Sequence, residues 1–179
     1  MSVNSEKMTH TEVDTFTEIH KNYIPKRKKR FETYDVHSNV EYHIKEKKQK
    51  NHIELTKPII ERAIRCLGDN GVTNFDEKKW CVDFHQRNCG FEKKKYQWST
   101  WHKDDHAVIR CKVHTVIFYL RKDITVGGGD FEYKKDGKKI THKVESKSIL
   151  QFCGNLSHRP QETWGFGCRD IIVVFIKRN

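Results

Sequence analysis

From about residue 79 to the C-terminus the chain is a succession of short β-type runs, each closed by glycine or aspartate, and this pattern limits the fold more than any other feature. The runs are Lys79–Phe84, Tyr96–Trp101, Ile109–Leu120, Asp130–Lys134, Lys139–Val144, Ser148–Cys153 and Asp170–Lys177. They are rich in Val, Ile, Phe, Tyr and Trp, which suit a pleated, half-buried surface. Asp136-Gly137 between two of them signals a tight hairpin. Consecutive strands joined by tight turns close into a sandwich or barrel rather than an open parallel sheet. The expected fold class is mainly β, a sandwich or barrel of jelly-roll type, braced by N-terminal helical segments.

Ahead of this region the composition differs. Residues 1–50 are polar and charge-rich, and they read as an arm or a set of short elements packed on the main domain. Residues 51–78 read as a supporting helix and loop. Pro58 suits a first helical position, and Ile59, Ile60, Ala63, Ile64 and Leu67 then share one face at helical spacing before Gly68 and Gly71. Residues 79–179 form the expected core, and 179 residues suit one structural domain overall.

No apolar run approaches the ~20 residues of a membrane helix, so no membrane partner is expected. The N-terminus lacks the apolar segment of a secretory signal. The six cysteines are scattered without a CxxC pair, which fits plain thiols in an intracellular, cytoplasmic setting. The formal charge is +11, concentrated in Lys26-Arg27-Lys28-Lys29-Arg30, Lys45 to Lys50 and Lys93-Lys94-Lys95. Such clusters attract phosphate backbones or acidic proteins, so nucleic acid stays in view as a partner. Aromatics do not interleave with them, which favours a solvated lysine-rich surface. The PKRKKR segment also reads as a nuclear-import signal.

Chemistry enters at His102-Lys103-Asp104. On a strand, positions i and i+2 point the same way, so a nitrogen and an oxygen can grip one cation. The triplet alone is weak. His10-Thr11-Glu12 and His52-Ile53-Glu54 share its form, but they lie outside any β context and read as structural or surface residues. The first triplet gains from its surroundings. It follows the aromatic run Tyr96–Trp101 and precedes the strand His114–Leu120, the turn Gly127-Gly128-Gly129-Asp130-Phe131, and a strand that runs on to His158. Arg169 then opens the last apolar strand. Two histidines and a carboxylate on iron leave three adjacent positions open, the facial triad of iron(II) oxygenases. A 2-oxo acid can occupy two of them, and its far carboxylate then needs a buried cation. Arg169 offers a fork matched to a carboxylate; without such an anion its place on a buried strand is costly. Tyr119 is the natural second donor, and Thr115 shares its face.

These residues resemble the iron(II)/2-oxoglutarate-dependent dioxygenase superfamily, with the nearest likeness to the prolyl 4-hydroxylase branch. The resemblance covers roughly residues 79–179 and rests on His102-x-Asp104, the Thr115-Val-Ile-Phe-Tyr-Leu120 strand, Gly128-Gly129-x-Phe131, His158 and Arg169. It implies that His102, Asp104 and His158 bind Fe(II), that Arg169 and Tyr119 bind 2-oxoglutarate, and that O2 is the second co-substrate; ascorbate is a candidate accessory. It implies a double-stranded β-helix fold, in agreement with the strand pattern, and hydroxylation of a C–H bond with release of succinate and CO2. A protein or peptide side chain, prolyl or lysyl, is the favoured substrate. Two alternatives accompany it: oxidation or demethylation of a nucleic acid or nucleotide by the same chemistry, and a basic non-catalytic binding module on the same scaffold. The peptide-binding loop of the prolyl hydroxylases has no secure match. The second arginine of the nucleic-acid demethylase branch, six residues after the first, is replaced by Phe175. His106, His114 and His142 read as structural. Trp98, Trp101 and Trp164 read as core or pocket wall, with Trp101 and Trp164 expected to border the substrate cleft.

Overall fold

The computed structural model describes residues 3–23, 34–38, 47–89, 100–106 and 111–179. Strands β1 (Asn4–Lys7), β2 (Tyr34–Ser38), β3 (Phe75–Cys89), β4 (Asp105–His106), β5 (Cys111–Lys122), β9 (Ser148–Cys153) and β12 (Gly167–Arg178) make one large sheet in the order β1-β9-β5-β12-β3-β2, with β4 on β5. A smaller sheet has the order β10-β7-β8, from β7 (Phe131–Lys135), β8 (Lys138–His142) and β10 (His158–Pro160). Strands β6 (Val126–Gly128) and β11 (Thr163–Gly165) pair separately. All pairings are antiparallel. This is the expected jelly-roll arrangement.

The large sheet is buried on both sides, so its central strands read as continuous apolar runs rather than alternating ones. On one face Ile172, Val174 and Ile176 of β12 pack with Val82, Phe84, Val116 and Phe118, and with two helices, α1 (His10–Tyr23) and α2 (Lys47–Asp69). On the other face Ile171, Val173 and Phe175 join Cys81, Ile117, Tyr119, Leu150 and Phe152 in a second core. That second core adjoins the candidate site.

The N-terminal segment contributes β1 and α1, short elements that pack on the large sheet. Thr9 and Glu12 form a capping box that starts α1: Glu12 accepts from the Thr9 amide at 2.8 Å, and Thr9 Oγ1 accepts from the Glu12 amide at 3.2 Å. Phe16 meets Phe118 edge-on at 5.1 Å, and Tyr23 stacks on Phe84 at 4.1 Å. Glu12 also pairs with Arg62 at 2.7 Å, so His10-Thr11-Glu12 is structural, as expected.

Pro58 does not begin the helix; α2 starts at Lys47 and carries Pro58 inside it. A proline there removes the amide that would bond to the Glu54 carbonyl. Pro58 and Glu54 both lie on the exposed side, where water can serve that carbonyl. Burial of Ile59, Ile60, Ala63 and Leu67 against the sheet then outweighs the local penalty. The Asp136-Gly137 hairpin is present, with both residues at positive φ (52° and 75°); the turn links β7 to β8 as a two-residue loop of that kind should. Residues 96–99 of the expected Tyr96–Trp101 strand, Trp98 among them, lie outside the described residues. So do Lys26–Arg30, residues 45 and 46, and Lys93–Lys95.

Candidate metal and oxo-acid site

His102 and His158 are brought together by backbone pairing. The His102 amide donates to the His158 carbonyl and the reverse bond is also made, each at 2.9 Å. Directly paired residues share a face, so the two rings lie side by side with centroids 4.4 Å apart. Asp104 is fixed two residues on, where its amide donates to Gly154 O at 2.9 Å. A Cβ on Gly154 would lie 3.1 Å from Asp104 O and 2.7 Å from Val113 Cγ2, so the close approach requires glycine.

Asp104 Oδ1 stands 3.4 Å from His158 Nε2 and 3.7 Å from His102 Nε2. One ligand atom from each residue falls within 4.8 Å of the others; among the described residues no other group of His, Cys, Asp or Glu converges this closely. The supporting hydrogen bonds suit metal binding. His102 Nδ1 lies 2.8 Å from Thr100 O, and His158 Nδ1 lies 2.8 Å from Leu156 O. A carbonyl only accepts, so each Nδ1 carries the proton and each Nε2 presents a lone pair. Thr115 Oγ1 donates to Asp104 Oδ2 at 2.6 Å, leaving Oδ1 for a cation. Burial, the main cause, and the neighbouring His158 set the His102 imidazole below its usual pKa against the opposing pull of the Thr100 carbonyl and Asp104, which keeps the ring neutral. Burial pushes the Asp104 carboxyl upward, but His158, Thr115 and His102 outweigh it and hold the acid ionised.

Phe131 stacks on the His158 ring at 5.2 Å, and Phe152 meets it edge-on at 4.6 Å. These supports are hard to see in the sequence. Phe131 carries a signal through its place after the glycine turn, whereas Phe152 looks like any core residue.

Arg169 lies near one end of β12 and is 2 % exposed. Among the described residues, its Nε and Nη1 have no hydrogen-bond partner. Its guanidinium sits over the Tyr119 ring, 5.2 Å from the centroid. Gly129 makes room for it: φ is +72°, and a Cβ there would lie 3.2 Å from Arg169 Nη1. A buried cation with two idle donors is costly unless an anion completes it. The residues therefore fit both groups: a neutral-nitrogen and carboxylate set for a divalent iron, and an unpaired guanidinium for a carboxylate.

Other expectations are placed differently. The Thr115 hydroxyl is committed to Asp104 rather than open to an oxo acid. Trp101 packs among cationic side chains. Its indole lies under Lys134 Nζ at 4.6 Å and Arg159 Cζ at 4.8 Å. Trp164 covers the glycine turn, where a Cβ on Gly127 would strike its indole at 2.4 Å. His114 is structural as expected, with Nε2 3.0 Å from Asn74 Oδ1.

No protein-family model and no curated protein sequence matches the chain. Solved structures do. A 2OG-Fe(II) oxygenase family oxidoreductase from Burkholderia pseudomallei superposes with a TM-score of 0.64 at 9% identity, over 99% of this chain and 84% of its own. A Pseudomonas putida prolyl-4-hydroxylase gives 0.58 at 9% identity, over 99% and 92%. The viral collagen prolyl hydroxylase of Paramecium Bursaria Chlorella virus-1, solved with 2OG, gives 0.56 at 15% identity, over 100% and 97%. At such identities the likeness is one of fold. The chain has the double-stranded β-helix fold of the 2-oxoglutarate, iron(II)-dependent oxygenases.

Proposed function

We propose that this protein is an Fe(II)- and 2-oxoglutarate-dependent dioxygenase that hydroxylates a C–H bond on a protein side chain, prolyl or lysyl, with release of succinate and CO2. The observation that carries the reading is the occurrence of the His102, Asp104 and His158 cluster with a buried Arg169, whose Nε and Nη1 lack hydrogen-bond partners among the described residues, on the same β-helix. Either feature alone has ordinary explanations, since metal-like clusters occur on surfaces and buried arginines form ion pairs. Together they describe a metal with a vacancy for a chelating acid and a cation for that acid's far end.

In this reading His102, Asp104 and His158 hold the iron and Arg169 anchors 2-oxoglutarate. Bound together, iron and the oxo acid supply O2 activation coupled to oxidative decarboxylation. The chain's own part is positional. Thr115 orients Asp104, the Thr100 and Leu156 carbonyls fix the imidazole tautomers, and Phe131 and Phe152 hold the His158 ring. Ile117, Ile171, Val173 and Phe175 give the interior an apolar lining that limits water. The prolyl hydroxylases among the similar structures support a peptide substrate. The charge of +11 supports a second reading, oxidation of a nucleic acid by the same centre.

A succinate-release screen over peptides, nucleic acids and free amino acids tests both. The proposal expects turnover that needs Fe(II) and 2-oxoglutarate and disappears in Asp104→Ala. Turnover undiminished in that variant would overturn it.

A further inference from the structure

Resting on that reading, we infer that Thr163 is a binding residue for 2-oxoglutarate, its hydroxyl serving with Arg169 as a donor to the far carboxylate. Thr163 is 1 % exposed, and its Oγ1 has no hydrogen-bond partner among the described residues. That is unusual, because a threonine hydroxyl rotates freely and buried hydroxyls nearly always find a carbonyl. Its surroundings explain the vacancy. Thr163 pairs with Gly128 in the β11–β6 ladder, so no side chain stands opposite it. The next residue, Gly129, donates its amide to Glu162 O at 3.1 Å. The point where a Gly129 Cβ would lie is 2.8 Å from Thr163 Cγ2, 3.2 Å from Arg169 Nη1 and 3.4 Å from Arg169 Cζ. Thr163 and the guanidinium therefore converge on one glycine, whose missing side chain lets them approach each other.

The Thr163 methyl and Arg169 Nη1 thus meet at Gly129, and these two side chains carry three buried donors without a partner among the described residues: Arg169 Nε, Arg169 Nη1 and the Thr163 hydroxyl. All are buried and none has an acceptor among the described residues, so the group that suits them is an acceptor with more than one lone pair and a negative charge. A carboxylate fits, since one oxygen can accept from the guanidinium and the other from a hydroxyl. Tyr119 supplies its ring to Arg169; Thr163 supplies the neutral donor that fixes the carboxylate's orientation.

The test compares wild type, Thr163→Val and Thr163→Ser, loaded with Mn(II) to prevent turnover. Calorimetry measures binding of 2-oxoglutarate and of 2-oxobutyrate, which keeps the chelating end but lacks the far carboxylate. Valine keeps threonine's shape and removes the hydroxyl; serine keeps the hydroxyl. The inference expects Thr163→Val to weaken 2-oxoglutarate binding roughly tenfold to a hundredfold, the range for a hydrogen bond to a charged group. 2-Oxobutyrate binding should not change, and Thr163→Ser should keep most of the 2-oxoglutarate affinity. Equal 2-oxoglutarate affinity in wild type and Thr163→Val overturns it, as does an equal loss for both acids, which marks a packing effect. Wild type that binds Mn(II) but neither acid overturns the proposed function as well.

Discussion

Replacing Arg169 by methionine should move the empty protein and its ligand affinity in opposite directions. In the empty fold the guanidinium is 2 % exposed with two nitrogens lacking partners. Each such buried donor costs about 1–3 kcal/mol, and the stacking on Tyr119 at 5.2 Å returns about 1–2 kcal/mol. The net is a penalty of up to about 5 kcal/mol carried by the unliganded state. Methionine has a similar length, no charge and enough flexibility to fill the space, so Arg169→Met removes the penalty. In a domain of this size 1 kcal/mol corresponds to about 2–4 °C in Tm; a rise of several degrees without 2-oxoglutarate is expected. With 2-oxoglutarate the sign reverses. Loss of a buried charge partner costs about 2–5 kcal/mol of binding, a factor of about 30 to several thousand, and the ligand-induced Tm increase of the Mn(II)-loaded wild type should vanish. Thermal unfolding of both proteins, with and without 2-oxoglutarate, reads all four values. A variant that is destabilised yet binds the acid normally would show that Arg169 is a structural ion-pair residue and would refute this reasoning.

Thr115→Val removes the donor to Asp104 Oδ2 without changing the side chain's shape, and metal affinity should fall about 10–100-fold in a Mn(II) titration followed by electron paramagnetic resonance. Acid should weaken the small sheet through Glu132. Burial works to raise this carboxyl, but Gln161, Arg159 and Lys139 outweigh it and hold it down at about 2, from an ordinary 4.5. Because the folded pKa is depressed, the stabilisation is complete above about pH 4.5 and is lost as pH falls towards 2, a loss approaching ~3 kcal/mol. Glu132→Gln should flatten that part of the stability–pH curve measured by urea unfolding.

The centre of the fold was legible because its strands are buried on both faces and so advertise themselves as unbroken apolar runs. Asp170–Lys177 lies within β12, and Ser148–Cys153 coincides with β9. Short strands held by a few backbone bonds, such as β1, β6, β10 and β11, carry no such signal. Their positions depend on distant partners; the His102–His158 bridge is made by residues that nothing local links. The cluster of His102, Asp104 and His158 and the buried Arg169 could be picked out because chemistry, not packing, selects those residue types. Thr163 could not, since an isolated threonine gives no local sign of losing its acceptor. Pro58 misled because a local preference for a helix start was overridden by tertiary burial. The capping box at Thr9 and Glu12 was readable in the sequence and marks the arm as folded.

The most direct test is anaerobic addition of ferrous ion and 2-oxoglutarate to the purified protein, followed by visible absorption. An oxo acid chelated to iron(II) gives a charge-transfer band that neither component gives alone. The band should form in the wild type with one iron and one acid per chain, and it should be missing in Asp104→Ala. Wild type that stays colourless, or an Asp104→Ala variant that colours equally well, would contradict an iron held by His102, Asp104 and His158.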